Sequence, residues 1–508
     1  MKYDIIFVSG EYYVDHPLSP LGILVKVLNE KGFSTAIIEK PDWKKDDDFL
    51  KYGKPNLFFA LTSGSIDSML VNYTPLKKLR SEDKYHPYDS KIPDRAVTVY
   101  CNKLKQLFKD SLIVIGGIEA SMRRFVHYDY WSNKLRKSLL FDSRADILVY
   151  GNGEYQISEI AKRLKENKNL ENIEGTCIIS KEVPKDFIIL PSFEDVSSDK
   201  KLFCKMQLLF SNKKNLAQKI DNRFVLQYKM HKYTTKEIDY IYGLDYSRNI
   251  PKHYPEFKMA QFSVVTHRGC IGNCNFCSLS LHQGDRIISR SEKSIIDEIK
   301  KITKHRDFKG YIDDLGGPSA NMYGMDCEKC DNKCINCGDL DKTHLKLIKL
   351  LRVIKKIKGV KKIFVRSGIR YDLAVESEEY VKELSDCVSG CLKIAPEHFS
   401  ENVLNLMNKN SGKFKEFKKL FDKHNRKLNQ NLKYYFMTGH PGSSMKEVNE
   451  LKNKIKELEN TEGVQLFTPT PMTISTCMYY TGLNPYTLKK VYVPYTYNEK
   501  KKQKNVLF

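Results

Sequence analysis

Three cysteines near the middle of the chain have the spacing of iron–sulfur ligands. Cys270, Cys274 and Cys277 lie in the stretch HRGCIGNCNFC, which gives a Cys-x3-Cys-x2-Cys arrangement. Thiolates are the usual ligands of a 4Fe-4S cluster, and four of them would fill it. Three thiolates therefore leave one iron free to bind a substrate or cofactor, as the open position of a catalytic zinc does. Gly269 and Gly272 let the loop wrap closely around a cluster. A zinc site and three reduced thiols are the alternatives.

A second group of cysteines follows about fifty residues later. It consists of Cys327, Cys330, Cys334 and Cys337, which form a Cys-x2-Cys-x3-Cys-x2-Cys pattern. Paired CxxC units suit a tetrahedral zinc or a second iron–sulfur cluster. The neighbouring cysteine loop favours iron–sulfur over zinc, and reduced cysteines in a loop are the third interpretation. Seven of the chain's thirteen cysteines fall between 270 and 337, which indicates metal ligation in a reducing compartment.

The second half of the chain alternates strand-like and helix-like stretches. The six strand candidates are FSVVT (262–266), GYIDDL (310–315), KIFVR (362–366), CLKIA (391–395), KYYFM (433–437) and VQLFT (464–468). Six βα units predict a (β/α)6 partial barrel. The unusual motifs THRGCIGNC, GGPSANMYG, SGIRYD, PEH, TGHPGSS and PTPMT each follow one of these strands. In barrel enzymes that rim carries the chemistry.

The first 166 residues predict an α/β domain built on a doubly wound parallel sheet. The strand candidates are DIIFVSG, STAIIEK, NLFFALTS, SLIVIGG and ADILVYG, each running into polar or glycine-rich residues. We interpret 167–258 as a linker with helices and 259–485 as the partial barrel with a cysteine-rich insert at 325–339. Residues 486–508 form a C-terminal extension.

Composition adds little about partners. The net charge of +23 comes mostly from lysines in helical stretches, so it fits a solvated surface as well as a nucleic-acid site. No apolar run approaches the ~20 residues needed to cross a bilayer, and the N-terminus lacks a signal-peptide pattern. We therefore expect a cytoplasmic protein without a membrane partner.

The cysteine spacing, with Phe276 before the last cysteine, resembles the radical S-adenosylmethionine (SAM) superfamily. Further motifs resemble the YgiQ family within it, and the resemblance covers nearly the whole chain. These motifs are VDHP and PDW, GGIEASMRRFVHYDYW at 116–131, THRGCIGNCNFCSLSLHQGD, DLGGPSANMYG, CLKIAPEH, YYFMTGHPG and FTPTPMTISTCMYYTG. Many relatives continue into a long basic, proline-rich tail where this chain ends at VPYTYNEKKKQKNVLF.

The resemblance implies an enzyme that uses a 4Fe-4S cluster and SAM. In the superfamily the open iron chelates SAM, and one electron cleaves SAM to a 5′-deoxyadenosyl radical that abstracts hydrogen from a substrate. It also implies a reductant protein such as flavodoxin or ferredoxin. The family's reaction is unassigned, so substrate and product stay open.

Five residues are candidate SAM contacts by the same resemblance. Gly316 and Gly317 match the glycine motif whose backbone meets the SAM amino group, although Pro318 replaces the usual acidic residue. The other three, at rim positions where relatives bind the SAM carboxylate, ribose or adenine, are Arg366, Glu397 and Gly439.

Cobalamin is a weaker expectation. The N-terminal sheet is similar in layout to cobalamin-binding domains, but layout does not establish function. Asp15-His16 lacks the spacing of the Asp-x-His cobalamin motif, so no histidine ligand to cobalt is expected.

Three other functions are alternatives to the main hypothesis. An RNA-modifying methylthiotransferase-like enzyme shares the domain order, but the chain shows no small C-terminal RNA-binding barrel. A non-catalytic iron–sulfur electron-transfer or sensor protein explains the cysteines but not the glycine and PEH motifs. A zinc-stabilised nucleic-acid-binding module leaves the 270–277 spacing unexplained.

Overall fold

The computed structural model describes residues 2–80, 92–329, 334–409, 412–425, 428, 430–458 and 461–507. The strands are β1 Ile5–Ser9, β2 Thr35–Glu39, β3 Phe58–Thr62, β4 Ile113–Ile115, β5 His127–Asp129, β6 Lys134–Arg136, β7 Ile147–Val149, β8 Thr176–Ser180, β9 Ile188–Leu190, β10 Leu216–Ile220, β11 Arg223–Gln227, β12 Val264–Val265, β13 His267–Arg268, β14 Ile288–Ser289, β15 Tyr311–Ile312, β16 Leu315–Gly316, β17 Lys362–Ile363, β18 Cys391–Glu397, β19 Asn431–Thr438 and β20 Thr461–Leu466.

The α-helices are α1 Pro20–Glu30, α2 Asp47–Leu50, α3 Ser68–Asn72, α4 Ala96–Leu107, α5 Gly117–Ser121, α6 Leu139–Ser143, α7 Glu154–Lys165, α8 Phe193–Ser198, α9 Lys200–Leu209, α10 Thr235–Gly243, α11 Leu279–Gln283, α12 Glu292–Ile302, α13 Leu345–Lys355, α14 Tyr371–Ala374, α15 Glu378–Ser385, α16 Glu401–Met407, α17 Phe414–Asn425, α18 Met445–Lys456, α19 Ile474–Thr481 and α20 Tyr497–Leu507. Short 3-10 helices span Pro255–Ala260, Ala320–Met322 and Cys334–Asn336.

The chain forms two compact units. Unit 1 comprises Met1–Lys232 and Thr468–Lys490, and unit 2 comprises Tyr233–Phe467 and Val491–Phe508. Unit 1 contains a nine-stranded sheet in the order β2-β1-β3-β4-β7-β8-β11-β10-β9. The pairs from β2 to β7 are all parallel. These are the five strands that the sequence predicted, and their order reverses at β1, as it does in a doubly wound sheet.

The stretch 167–258 differs from the linker with helices described from the sequence. It supplies β8 to β11, which continue the sheet beyond β7 through antiparallel pairs and a final parallel pair. Buried glutamines interrupt the apolar pattern of these strands. Gln218 accepts a hydrogen bond from the Val126 backbone and Gln227 accepts one from Arg124, so both polar side chains are satisfied inside the unit.

The segment 468–490 packs within unit 1, although the sequence-based division placed it in the barrel. The Gln207 amide of α9 donates to the Met472 carbonyl at 2.6 Å. Cys204 of α9 and Cys477 of α19 are both buried, with their sulfur atoms 3.8 Å apart. The segment directly follows the sixth predicted strand, and its place in the chain alone cannot show which sheet it packs against.

Unit 2 has the strand arrangement of the predicted partial barrel. The pairs β12–β16, β15–β17, β18–β19 and β19–β20 are parallel, and an isolated parallel bridge joins Ile369 to Ile394. All six predicted strand positions are therefore occupied in chain order, which confirms the predicted fold class. The helices bury apolar stripes against these strands.

Helix α12 shows why the sequence folds in this way. Ser291 caps its start by accepting a hydrogen bond from the Ser294 backbone N–H. Ile295, Ile299 and Ile302 recur at helical spacing and are buried in the main core of unit 2.

Among the described residues, no helix combines the length and apolar character needed to span a membrane.

Candidate metal centre

The three-cysteine loop lies in a narrow hairpin between β13 and β14. Gly269 has a positive φ of 85°, and a Cβ atom there would lie 1.7 Å from the Arg286 carbonyl oxygen. The Cys270 backbone N–H donates to the Gly284 carbonyl at 3.1 Å. Only glycine fits at position 269, so the close approach of the two arms explains this residue of the motif.

The far side of the loop is fixed to the end of α16. The Asn275 backbone donates to the Met407 carbonyl at 2.9 Å, and the Asn275 amide donates to Leu406 at 2.8 Å. In return, the Asn408 amide donates to the Asn273 carbonyl at 2.7 Å. Polar groups at these positions therefore hold the backbone between the second and third cysteines.

Phe276, the aromatic residue before the last cysteine, has a packing role. Its ring packs against the buried cluster of Val403, Leu404 and Met407. This contact anchors the third cysteine against the same helix.

The three thiols are partly buried and lie within electrostatic range of one another. Burial raises the pKa of Cys277 to about 12, and it raises the pKa of Cys270 as well. The charges of Cys270 and Cys274 both contribute to the pKa of Cys277. A metal that binds here must therefore displace protons from buried thiols.

Within the described part of the chain, no three His, Cys, Asp or Glu side chains are grouped around a single metal-ion position. In a 4Fe-4S cluster each thiolate binds a different iron, so its ligands do not converge on one point. The donor set of three neighbouring thiols on a loop fixed at both ends fits such a cluster.

Arg370, which the sequence analysis did not single out, is a cation in contact with one of these thiols. Its Nη1 donates to Cys274 Sγ at 3.3 Å, and it forms a bidentate pair with Asp372. Although burial lowers the pKa of Arg370, the charges of Asp372 and Cys274 raise it more. The guanidinium is therefore a permanent buried charge. The only sequence signal was its place in SGIRYD after the third strand.

Gly316 and Gly317 are closely packed positions. A Cβ on Gly316 would lie 2.5 Å from Ser367 Oγ, and one on Gly317 would lie 2.6 Å from the His267 ring. The neighbouring atoms thus leave little room for a side chain at either position. Their contact with the SAM amino group stays a prediction.

Glu397 is held beside the cysteine loop in an unusual backbone conformation. Its φ is +68°, and the register of β18 against β19 shifts between Ile394 and Glu397. Burial raises the pKa of Glu397, while Lys409, with Nζ 3.7 Å from Oε1, lowers it. The charge of Glu397 also acts on Cys277. Strained backbone of this kind occurs at binding sites.

Arg366 and Gly439 have different surroundings. The exposed Arg366 guanidinium stacks over Phe364 at 5.0 Å, and its backbone N–H donates to Asp314. Gly439, with φ +74°, donates its backbone N–H to Gln503 at 2.9 Å. The contacts of Arg366 in the structure do not include the three-cysteine loop.

The second cysteine group lies against the first. Cys334 is buried in an apolar cluster with Ile271 and Met322, and Cys270, Cys327 and Cys337 pack against that same cluster. Cys330 lies outside the described residues. The structure therefore places three of the four predicted ligands around the apolar residues that also border the first cysteine.

The carboxyl edge of the unit 1 sheet holds a buried polar network. Glu119 accepts from the backbone and hydroxyl of Ser68, and Arg123 pairs with Asp67. His16 is buried, and its Nδ1 accepts from the Leu18 backbone at 3.0 Å.

Comparison with known families identifies matches along almost the entire chain. Residues 1–267 match the radical SAM N-terminal family and residues 264–455 match the radical SAM superfamily. Residues 462–507 match a domain of unknown function, DUF3362. A UPF0313 protein of Methanocaldococcus jannaschii is 45% identical over 99% of this chain and 89% of its own length. A UPF0313 protein of Clostridium botulinum is 44% identical, with coverage of 99% and 84%.

Solved structures show a similar fold at low identity. The radical SAM methyltransferase TsrM from Kitasatospora setae, with cobalamin and a 4Fe-4S cluster bound, has a TM-score of 0.54 at 15% identity. The match covers 93% of this chain and 74% of TsrM. The cobalamin-dependent radical SAM enzyme OxsB, with aqua-cobalamin and SAM bound, gives 0.51 at 14% identity, covering 100% and 56%. At these identities the likeness concerns the fold alone.

Proposed function

Because this chain belongs to the UPF0313 family of radical SAM proteins, we propose that it is an enzyme whose Cys270, Cys274 and Cys277 hold a 4Fe-4S cluster that binds SAM. The observation that carries the proposal is the cysteine loop itself. Three thiols stand on one hairpin that is closed at Gly269 and fixed to α16 through Asn275. A loop held at both ends presents its ligands in one geometry, as a bound cluster requires.

The chain's own residues would supply binding and orientation. The bound cluster and SAM together supply a 5′-deoxyadenosyl radical that abstracts hydrogen from a substrate. Glu397, which pairs with Lys409 next to the loop, would contact a bound SAM through its carboxylate. Gly316, Gly317 and Gly439 would contact SAM through their backbone, and Arg366 would contribute a cation. These SAM contacts rest on rim position and on the resemblance to relatives.

A second metal site is part of the proposal. Cys327, Cys334 and Cys337 border the apolar cluster that Cys270 also touches, and Cys330 completes the pattern in the sequence. We favour an auxiliary iron–sulfur cluster over zinc because its position would allow electrons to reach the first cluster. Metal analysis of Cys334→Ala separates the two: loss of iron and sulfide supports the cluster, and loss of zinc contradicts it.

The proposed chemistry needs a one-electron donor. A flavodoxin or ferredoxin would serve, since the 4Fe-4S clusters of ferredoxins reach low potentials. The described cysteines are all free of disulfides, which fits a reducing compartment, and cytoplasmic location is part of the proposal on that ground. The RNA-modifying alternative gains no specific observation from the described residues.

The test is production of 5′-deoxyadenosine. The protein is reconstituted anaerobically with iron and sulfide and given dithionite and SAM, and the product is measured by mass spectrometry. We expect product from the wild type, none from Cys270→Ala, and a wild-type amount from Cys391→Ala. Cys391 is the matched control because it is a half-buried cysteine of unit 2 outside both groups. Equal product from the Cys270 variant would contradict the ligand assignment.

A further inference from the structure

Arg370, in the SGIRYD motif, contacts the three-cysteine loop from the rim of the third predicted strand. We propose that Arg370, oriented by Asp372 and Asn321, is a positioning residue that raises the reduction potential of the cluster held by Cys270, Cys274 and Cys277. The inference rests on the proposed function, since it needs that cluster. It adds a residue that changes how easily the cluster accepts its electron.

The guanidinium lies directly against the cysteine loop. Its Nη1 is 3.3 Å from Cys274 Sγ. A Cβ on Gly272 would lie 2.8 Å from the same Nη1 and 3.4 Å from Cys270 Sγ. Gly272 thus leaves room for the guanidinium between two of the ligands, which gives this glycine a role beyond loop flexibility.

Every other part of Arg370 is fixed. Its backbone N–H donates to Asn321 Oδ1 at 2.8 Å, and its carbonyl accepts from Asn321 Nδ2 at 2.9 Å. Nε and Nη2 donate to the two carboxylate oxygens of Asp372 at 2.9 and 2.5 Å. Only Nη1 is directed at the thiol. The motifs GGPSANMYG and SGIRYD therefore meet at this residue.

The physical effect follows from charge. Reduction adds one negative charge to a cluster that its thiolates have already made electron-rich. A buried cation that donates a hydrogen bond to a ligand sulfur stabilises the reduced form more than the oxidised form. The carboxylate of Asp372 opposes this effect in part while it holds the guanidinium in place. Changes at the two residues should thus shift the potential in opposite directions.

The experiment measures the midpoint potential of the reconstituted cluster by EPR-monitored titration. We expect Arg370→Gln to lower the equilibrium constant for reduction at least tenfold, which is 59 mV for one electron. Asp372→Asn should shift the potential upward, because it leaves the arginine charge uncompensated. The double variant should lie between the two single variants. Arg352→Gln, an exposed arginine paired with Glu379 and Glu383, is the matched control and should not move it.

Iron and sulfide content is measured on each protein first. If the wild type assembles no cluster, the proposed function fails. If Arg370→Gln holds a full cluster whose reduction constant changes less than twofold, the inference about Arg370 is refuted while the proposed function stands. If Arg370→Gln does not assemble, the sign for Asp372→Asn decides: a downward shift or none contradicts the inference.

Discussion

Replacing Gly269 with alanine tests whether the hairpin closure positions the cysteine ligands. The new Cβ would lie 1.7 Å from the Arg286 carbonyl oxygen, and ordinary contact begins at 3.4 Å, so the two arms must separate by about 1.7 Å. Left-handed backbone costs a non-glycine residue about 1–2 kcal/mol. Losing the hydrogen bond between Cys270 and Gly284 costs about 1 kcal/mol more. We expect a total of about 2–3 kcal/mol and a cluster loop that no longer binds iron fully.

Gly390→Ala is the matched control. Gly390 has a similar φ of 78°, but a Cβ there meets nothing within 4 Å. This variant should lose only the about 1–2 kcal/mol that left-handed backbone costs a non-glycine residue, and it should keep its cluster. The assay is urea unfolding of the reconstituted proteins, with iron and sulfide per chain measured beside it. Equal stability and equal iron in the two variants would refute the argument that the hairpin closure holds the ligands.

Two further predictions concern stability. Gln503 of α20 hydrogen-bonds Thr438, Gly439 and the Ser443 carbonyl from a buried position. Gln503→Ala should therefore destabilise the protein by about 2–3 kcal/mol in thermal or urea unfolding, and an unchanged midpoint would contradict this role. Burial lowers the pKa of His344 to about 4, while the unfolded value is about 6.5. Because the unfolded chain takes up this proton first, the free energy of unfolding should fall as pH drops from about 6.5 to about 4. His344→Gln should flatten that part of the pH profile, and an identical slope would count against it.

The sequence predicted the strands whose side chains follow a simple pattern. β1, β2, β3, β4 and β7 are apolar runs that end in glycine or polar residues, and their parallel pairing follows from the helices between them. The sequence did not predict the strands between residues 176 and 227, because buried polar residues such as Gln218 and Gln227 break their apolar pattern. The hydrogen-bond partners of these two glutamines, Val126 and Arg124, are about a hundred residues away in sequence.

The candidate site, too, could be predicted from the sequence only in part. The cysteine spacing is local, so the sequence alone indicates an iron–sulfur loop. Arg370 reaches Cys274 across 96 positions, and Asn321 orients it from the rim of the second predicted strand. Such a contact depends on how the strands are arranged in space. The residue types and their spacing along the chain do not reveal that arrangement. Gly269 and Gly272 were expected as flexible positions, and the structure gives each a specific steric reason.

The central claim is that the three-cysteine cluster keeps one iron open to SAM. The most direct measurement is the EPR spectrum of the dithionite-reduced, reconstituted protein with and without SAM, recorded for the wild type and for a variant lacking Cys327, Cys334 and Cys337. We expect a 4Fe-4S signal that shifts on adding SAM in both proteins. A signal indifferent to SAM in both would contradict the account and favour an electron-transfer or sensing role.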